Sequence, residues 1–248
     1  VTGSLYSYRV YDHGAVTLDG RVEMPTRSYC DIKDVLATVH VQGVDICGLD
    51  AIGIAVPGVV EGSTVHMVTV DLGMPDFAKM SEKLGVPIFL DNNANAAAVG
   101  CYVSQDEVEN LVFYRHAFGH EAGGFGTVID GKLLKGHRNL AGEPRYFEQS
   151  FVFDTSYEES VWSADGMHEL ALNVVCASMA LVAPDAAYLA VDTVDDADEF
   201  RGMLGEVFEE EYLPSVHVVG DYVERVYLGT LAMALQKLRN PKFRSLGV

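Results

Sequence analysis

Basic residues are scarce in this chain. Its 248 residues hold 17 Lys and Arg against 36 Asp and Glu, a formal net charge of -19. A surface of that sign repels phosphate backbones and anionic lipid. Neither nucleic acid nor a membrane is therefore expected as a direct partner. Any action on DNA would fall to a separate basic module, and no helix-turn-helix stretch precedes Leu5. Clustered cysteine is also lacking. Cys30, Cys47, Cys101 and Cys176 lie apart in apolar surroundings with no Cys-x-x-Cys pair. That spacing argues against a disulfide frame and a metal site, and for packed, reduced thiols. No apolar run approaches the roughly 18 residues of a membrane span, and no signal peptide is visible. The expected compartment is the cytoplasm. Low-complexity segments and short-period repeats are missing as well.

What remains is globular: 49% of residues are hydrophobic and 21% charged. The length suffices for one large domain or two modest ones, and the composition leaves room for an apolar dimer surface, so a homodimer is expected. The most informative stretch is Val86–Gly100, VPIFLDNNANAAAVG. Val86–Leu90 is an apolar, β-rich run, and Ala94, Ala96, Ala97 and Ala98 are strong helix formers. Asp91, Asn92 and Asn93 therefore fall where a strand ends and a helix begins. In open α/β sheets ligands bind at that edge. Any one of the three serves equally well as a plain helix cap, but three in a row exceed what a cap needs.

Periodicity places strands at Leu5–Tyr11, Asp50–Val56, Leu111–Tyr114, Ala187–Val191 and His217–Val219. Turn signals stand at Asp12-His13-Gly14 and Asp19-Gly20, with Arg21–Met24 as a returning strand. Val59–Val70 reads as a hairpin around Glu61-Gly62, and Thr127–Leu134 as a second around Asp130-Gly131. Helices are expected at Ile32–Val41 (capped by Asp31), Asp76–Leu84, Met167–Leu181, Asp195–Glu211 and Asp221–Leu238. Phe147–Trp162 stays unassigned. The order gives two β-rich units, each followed by helices: an N-terminal α/β lobe over 1–93, with the helix 221–239 packed on it, and a C-terminal α/β lobe over 94–220.

Four segments carry a resemblance. Ile52–Val60 (IGIAVPGVV), Leu84–Val99 (LGVPIFLDNNANAAAV), Gly124–Leu134 (GFGTVIDGKLL) and Ala141-Gly142-Glu143 occur in the order and rough spacing of the ROK family. That family contains bacterial sugar kinases and sugar-responsive transcriptional repressors. The resemblance implies an α/β, two-lobed, actin-like ATPase (ribonuclease H-like) fold. It also implies that Asn92, Asn93 and Glu143 bind a sugar or sugar phosphate; a carboxylate that accepts from two hydroxyls suits a pyranose edge.

The departures bear on activity. Family kinases read Glu-Asn-Asp-Ala-Asn at the junction, and the Asp takes the proton from the attacking sugar hydroxyl. Asn93 stands there in this chain, and an amide cannot accept that proton. The Asp-x-Gly-Gly-Thr turn that serves phosphate and metal has no counterpart in Val1–Leu5. In the second phosphate loop, Gly-Thr-Gly is replaced by His120-Glu121-Ala122, ahead of Gly123, Gly124 and Gly126. A phosphate beside Glu121 would be repelled. The surviving glycines read more simply as a hairpin approach that needs permissive backbone. Tyr146 replaces the His of the family's zinc module, and no Cys lies between Cys101 and Cys176, so no metal site is expected. His137 and His168 read as surface or helix residues, and Glu158 and Glu159 as a solvated face. The resulting expectation is a sugar sensor in transcriptional regulation, with no catalytic residue and no cofactor. An active hexose kinase, which alone would use ATP and Mg, and a structural protein that retains the fold are the alternatives.

Overall fold

β1 (Ser4–Asp12) and β2 (Ala15–Met24) pair as an antiparallel hairpin. This computed structural model describes residues 4–24, 32–66, 75–148 and 156–239; Asp31, Cys30 and residues 67–70 of the expected hairpin lie outside them. The hairpin turns at His13 and Gly14, both with positive φ, the backbone that a two-residue turn demands. Asp19-Gly20 is no turn: it lies within β2, opposite Arg9 and Tyr8. Glycine is there for space, since a Cβ on Gly20 would lie 2.5 Å from the Tyr8 hydroxyl.

By its contacts the chain divides into two compact units. The first comprises residues 1–54, 60–90 and 234–248. Besides the hairpin it holds α1 (Ile32–Val41), the short pair β4 (Val59–Glu61) and β5 (Thr64–His66), and α2 (Phe77–Leu84). α2 has well-marked ends. The Asp76 side chain accepts from Lys79 N at 2.9 Å, and Gly85 closes the helix in the left-handed region at φ 69°, as capping rules require. β3 (Ile52–Val56) pairs with β6 (Ile88–Asn92).

The second unit comprises residues 55–59 and 91–233. Its sheet has the order β11-β10-β7-β8-β9, formed by β7 (Leu111–His116), β8 (Gly124–Ile129), β9 (Lys132–Leu133), β10 (Ala186–Val191) and β11 (Ser215–Val218). β10 runs parallel to both β7 and β11, while β8 is antiparallel to β7 and to β9. β7 shows why the strand reads as a continuous apolar run: both faces are covered. Val112 and Tyr114 pack with Leu170, Val174 and Phe200, whereas Leu111 and Phe113 pack with Ala94, Ala97 and Cys101. The helices are α3 (Asn93–Tyr102), the single turns α4 (Arg145–Glu148) and α5 (Tyr157–Ser160), then α6 (Ala164–Val182), α7 (Ala197–Gly205) and α8 (Tyr222–Arg239).

Several expectations change. The acidic helix stops at Gly205, and Glu210–Tyr212 is a separate 3-10 turn. α4 and α5 occupy part of the unassigned stretch, and a capping box between Ser156 and Glu159 starts α5. Glu158 and Glu159 are both exposed, as a solvated face requires, and Glu159 serves the capping box as well. Of the last helix, Tyr222–Met233 fall in the second unit and the residues from Ala234 in the first. Cys47 is exposed rather than packed; Cys101 is buried, and burial pushes its thiol up to about 12.

α3 owes its alanines to close approach. A Cβ on Gly126 in β8 would lie 2.7 Å from Ala94 O. A Cβ on Gly229 of α8 would lie 1.7 Å from Ala96 O. Only small residues allow a strand and a second helix to reach the α3 backbone on two sides. The glycines of the 123–126 region therefore serve space, not permissive torsion: Gly123, Gly124 and Gly126 are not among the positive-φ residues.

Candidate functional site

The β6–α3 junction is built from amides and one carboxylate. Asn92 is the α3 cap: its Oδ1 accepts from Ala94 N at 2.7 Å and Asn95 N at 3.2 Å. Its Nδ2 donates to Gly58 O at 2.9 Å, which ties the loop after β3 to the helix start. Capping thus uses the oxygen, and one N–H of the amide is left for a ligand. Asn93, in the first turn, is half-buried and its side chain has no hydrogen-bond partner among the described residues.

Asp91 lies behind the two amides, buried. It accepts from Asn92 N at 2.9 Å and Asn95 Nδ2 at 3.3 Å, and it pairs with the Lys135 ammonium. Asn95 Oδ1 is buried with no partner among the described residues. The Ala141-Gly142-Glu143 loop comes to the same place. Gly142 O accepts from Phe125 N at 3.1 Å. A Cβ on Gly142 would lie 2.1 Å from Phe125 O and 3.7 Å from Asn95 Oδ1. Only glycine, here at φ 94°, lets the loop pass so close. Ala141 N donates to Lys135 O, so the residue that neutralises Asp91 also anchors this loop. The structure therefore brings the Glu143 loop beside the junction, while no hydrogen bond joins Glu143 to Asn92 or Asn93. Glu143 is half-buried; desolvation pushes its carboxyl above the usual range, and Arg145 opposes that.

A second polar cluster went unnoticed in the sequence. Glu148 is fully buried. Its Oε1 lies 2.9 Å from the Tyr114 hydroxyl, and its Oε2 lies 3.2 Å from the Tyr157 hydroxyl and 3.5 Å from Gly123 N. Tyr114 in turn meets His116 Nδ1 at 2.7 Å, and His116 Nε2 lies 2.9 Å from His120 O. The proton count is informative. A carbonyl only accepts, so Nε2 carries a proton. In a neutral imidazole Nδ1 is then an acceptor, and the single Tyr114 proton cannot serve both Nδ1 and an ionised Glu148. The chain closes when Glu148 is protonated and donates to Tyr114, which donates to His116. Burial acts the same way on both ends: it pushes the Glu148 carboxyl up and the His116 imidazole down.

This cluster holds the loop 119–123. Tyr157 donates to Glu121 O at 2.8 Å, and the Gly123 N–H faces Glu148. An anion-binding loop presents free N–H groups to its ligand. Here one such group faces a carboxyl of the chain itself, with the Glu121 side chain two residues away. Among the described residues, no group of three or more His, Cys, Asp or Glu could hold a metal ion. His168 sits in α6, with Nε2 close to Thr193 O, and His137 lies in a 3-10 turn.

The sequence profile of the ROK family matches residues 12–144, more than half of the chain. The chain belongs to the ROK family. Its relatives divide between two roles. It is 27% identical over 161 residues to a xylose repressor of Caldicellulosiruptor bescii, covering 62% of this chain and 40% of the repressor. It is 33% identical over 131 residues to a glucokinase of Halalkalibacterium halodurans, covering 50% of this chain and 38% of the kinase. The chain thus matches about two fifths of these relatives' length. Among solved structures it superposes on a ROK glucokinase from Streptomyces griseus, crystallised with glucose and AMPPNP. The TM-score is 0.67 at 19% identity, over 95% of this chain and 97% of that one. A ROK transcriptional regulator homologous to Escherichia coli MLC gives 0.59 at 16% identity, over 90% and 75%. The fold is the α/β actin-like ATPase fold of ROK sugar kinases. Among the described residues, no helix is long and apolar enough to cross a membrane.

Proposed function

We propose that this chain is a sugar-binding sensor domain of the ROK family that does not transfer phosphate and acts in transcriptional regulation of carbohydrate use. The observation that carries the reading is Asn93. An amide stands in the first turn of α3 where family kinases place the proton acceptor, and it has no partner among the described residues. It can hydrogen-bond a sugar hydroxyl, but it cannot take its proton. Asn92 donates through its remaining N–H, and Glu143 accepts from hydroxyls on the neighbouring loop. The Glu121–Gly123–Glu148 arrangement adds support, because it opposes a triphosphate at the loop that would cradle one. Xylose and glucose are the first monosaccharides to test, since relatives are named for them. A homodimer remains the proposed assembly. ATP with Mg enters only if the chain is a kinase.

The test is a thermal-melt titration with xylose, glucose and N-acetylated hexosamines, run beside a coupled ADP-release assay. The expected result is a sugar-specific rise in melting temperature, lost in Asn93→Ala and Glu143→Ala, with no ADP release. Sustained ADP release that vanishes in Glu143→Ala would overturn the non-catalytic reading in favour of a hexose kinase. No shift with any sugar or sugar phosphate would overturn the sensor.

A further inference from the structure

In the first unit, α1, the Asp45–Cys47 turn and α2 enclose a groove of about 670 Å³. That size falls within the range of small-molecule sites. Leu36, Ile46, Met80 and Leu84 line it with apolar surface. Lys33 on α1 and Lys79 and Lys83 on α2 line it too. These lysines are conspicuous in a chain with twice as many acids as bases. Four other cations face acids: Arg9 with Asp19, Arg115 with Asp192, Lys135 with Asp91, Arg201 with Glu210. The side chains of Lys33, Lys79 and Lys83 have no ion-pair or hydrogen-bond partner among the described residues. The groove also holds two acids: Asp76, whose side chain accepts from Lys79 N in the α2 cap, and Asp45, whose side chain makes no cap hydrogen bond; three lysines against two acids leave it positive on balance.

We propose that this groove binds a free, small amphiphilic anion, with an apolar tail along Leu36, Ile46, Met80 and Leu84 and a carboxylate or phosphate head among Lys33, Lys79 and Lys83. Three ammonium groups over an apolar floor match such a ligand on both counts: tail burial follows from the floor, and charge-assisted hydrogen bonds follow from the rim. A sugar suits it less, because its acceptors are confined to Asp45 and Asp76 and Leu36, Ile46, Met80 and Leu84 offer a ring of hydroxyls none. The site is thus independent of the junction around Asn93. In a sensor domain, a second ligand here would adjust the first only if it favoured one conformation over another.

Cys47 lines the groove and is exposed, which supplies a local reporter. The experiment follows alkylation of Cys47 by iodoacetamide, read by peptide mass spectrometry, on the whole chain. Probes are decanoate, decyl phosphate, decanol and decyltrimethylammonium, each below its micelle concentration. Decanoate or decyl phosphate is expected to slow Cys47 alkylation about fivefold or more, with no such effect from decanol or the cation. The double variant Lys79→Gln/Lys83→Gln is expected to raise the anion concentration needed about tenfold. It should melt as the parent does, since both side chains are exposed and unpaired. Equal protection by the cation, equal affinity in the variant, or no protection by either anion would overturn the proposal. So would Cys47 protection that grows with protein concentration alone, which would assign the groove to a second copy. Protection by an anion in a chain that binds no sugar leaves this groove standing while the sensor reading falls.

Discussion

Asp91 and Glu148 are both buried carboxyl groups of the second unit, 5% and 0% exposed, and they are handled in opposite ways. Asp91 has a lysine. Its oxygens also accept from a backbone N–H and an amide, so its charge is met on every side. Glu148 has no such cation among the described residues. Its nearest titratable base is His116, with Nδ1 3.9 Å away and an imidazole that burial keeps neutral. Tyrosine hydroxyls surround the rest. A buried charge without a partner is costly, so burial pushes the Glu148 carboxyl up, against the hydrogen bonds from Tyr114, Gly123 and Tyr157. The lesson is that burial alone does not set the state of an acid; the atoms packed against it do. One carboxyl is paired with a lysine at a junction, and the other is pushed toward its neutral form beside the loop from whose Gly123 N–H it accepts.

The largest way to break this contrast is Glu148→Ala. It empties a buried polar site and takes from the Gly123 N–H its side-chain partner, while Tyr114 keeps His116 and Tyr157 keeps Glu121 O; a loss of about 3 kcal/mol is expected from urea denaturation. Glu148→Gln separates charge from shape. The Glu148 carboxyl is raised in the folded state, so its stabilising contribution is fully present below the unfolded carboxyl range and is lost as pH rises through the folded value. The stability difference between parent and Glu148→Gln should therefore move against the parent as pH rises, in melts taken from pH 4 to 8. A pH-independent difference would mean that Glu148 is ionised throughout and would remove the shared-proton account.

Next in size is Lys135→Met, which leaves Asp91 unpaired. Because the lysine side chain is one-third exposed, the expected loss is about 1–2 kcal/mol, below that for a fully buried pair. No loss in denaturant titration would mean that the amide contacts alone satisfy Asp91. Smaller again is Asn92→Ala, a lost cap of about 1 kcal/mol. Its neighbour should differ in kind: Asn93→Ala is expected to stay within about 0.5 kcal/mol while abolishing the sugar-induced melting shift. If Asn93→Ala destabilised as much as Asn92→Ala, the division between capping and ligand binding would fail.

Local patterns were legible because local chemistry causes them. α1 and α2 follow from apolar spacing, and α2 also from its Asp76 and Gly85 ends. The switch from strand to helix at Asn92-Asn93 follows from β-rich residues giving way to alanine. Asn95 and Lys135 were missed because their roles rest on contacts to Asp91, one across a helical turn and one from the β9 region. Glu148 gave no signal at all. It lies in an aromatic, acidic stretch without period, and its partners Tyr114 and His116 come from β7, 34 and 32 positions away. Asp19-Gly20 misled for the converse reason: the dipeptide is a turn former, but the Tyr8 ring across the hairpin claims the glycine.

The sequence by itself determined the family, the α/β order of elements, the excess of negative charge and the presence of an amide where kinases hold an acid. All of these are properties of residue identity and near spacing. Only the tertiary structure decided that Asn92 caps while Asn93 has no side-chain partner among the described residues, that the glycines of 123–126 serve close packing rather than torsion, that Glu148 is buried against Tyr114, which in turn meets His116, and that three lysines line one groove. Each of those depends on which distant atoms come within hydrogen-bond or van der Waals reach, and that is set by packing after the chain has folded.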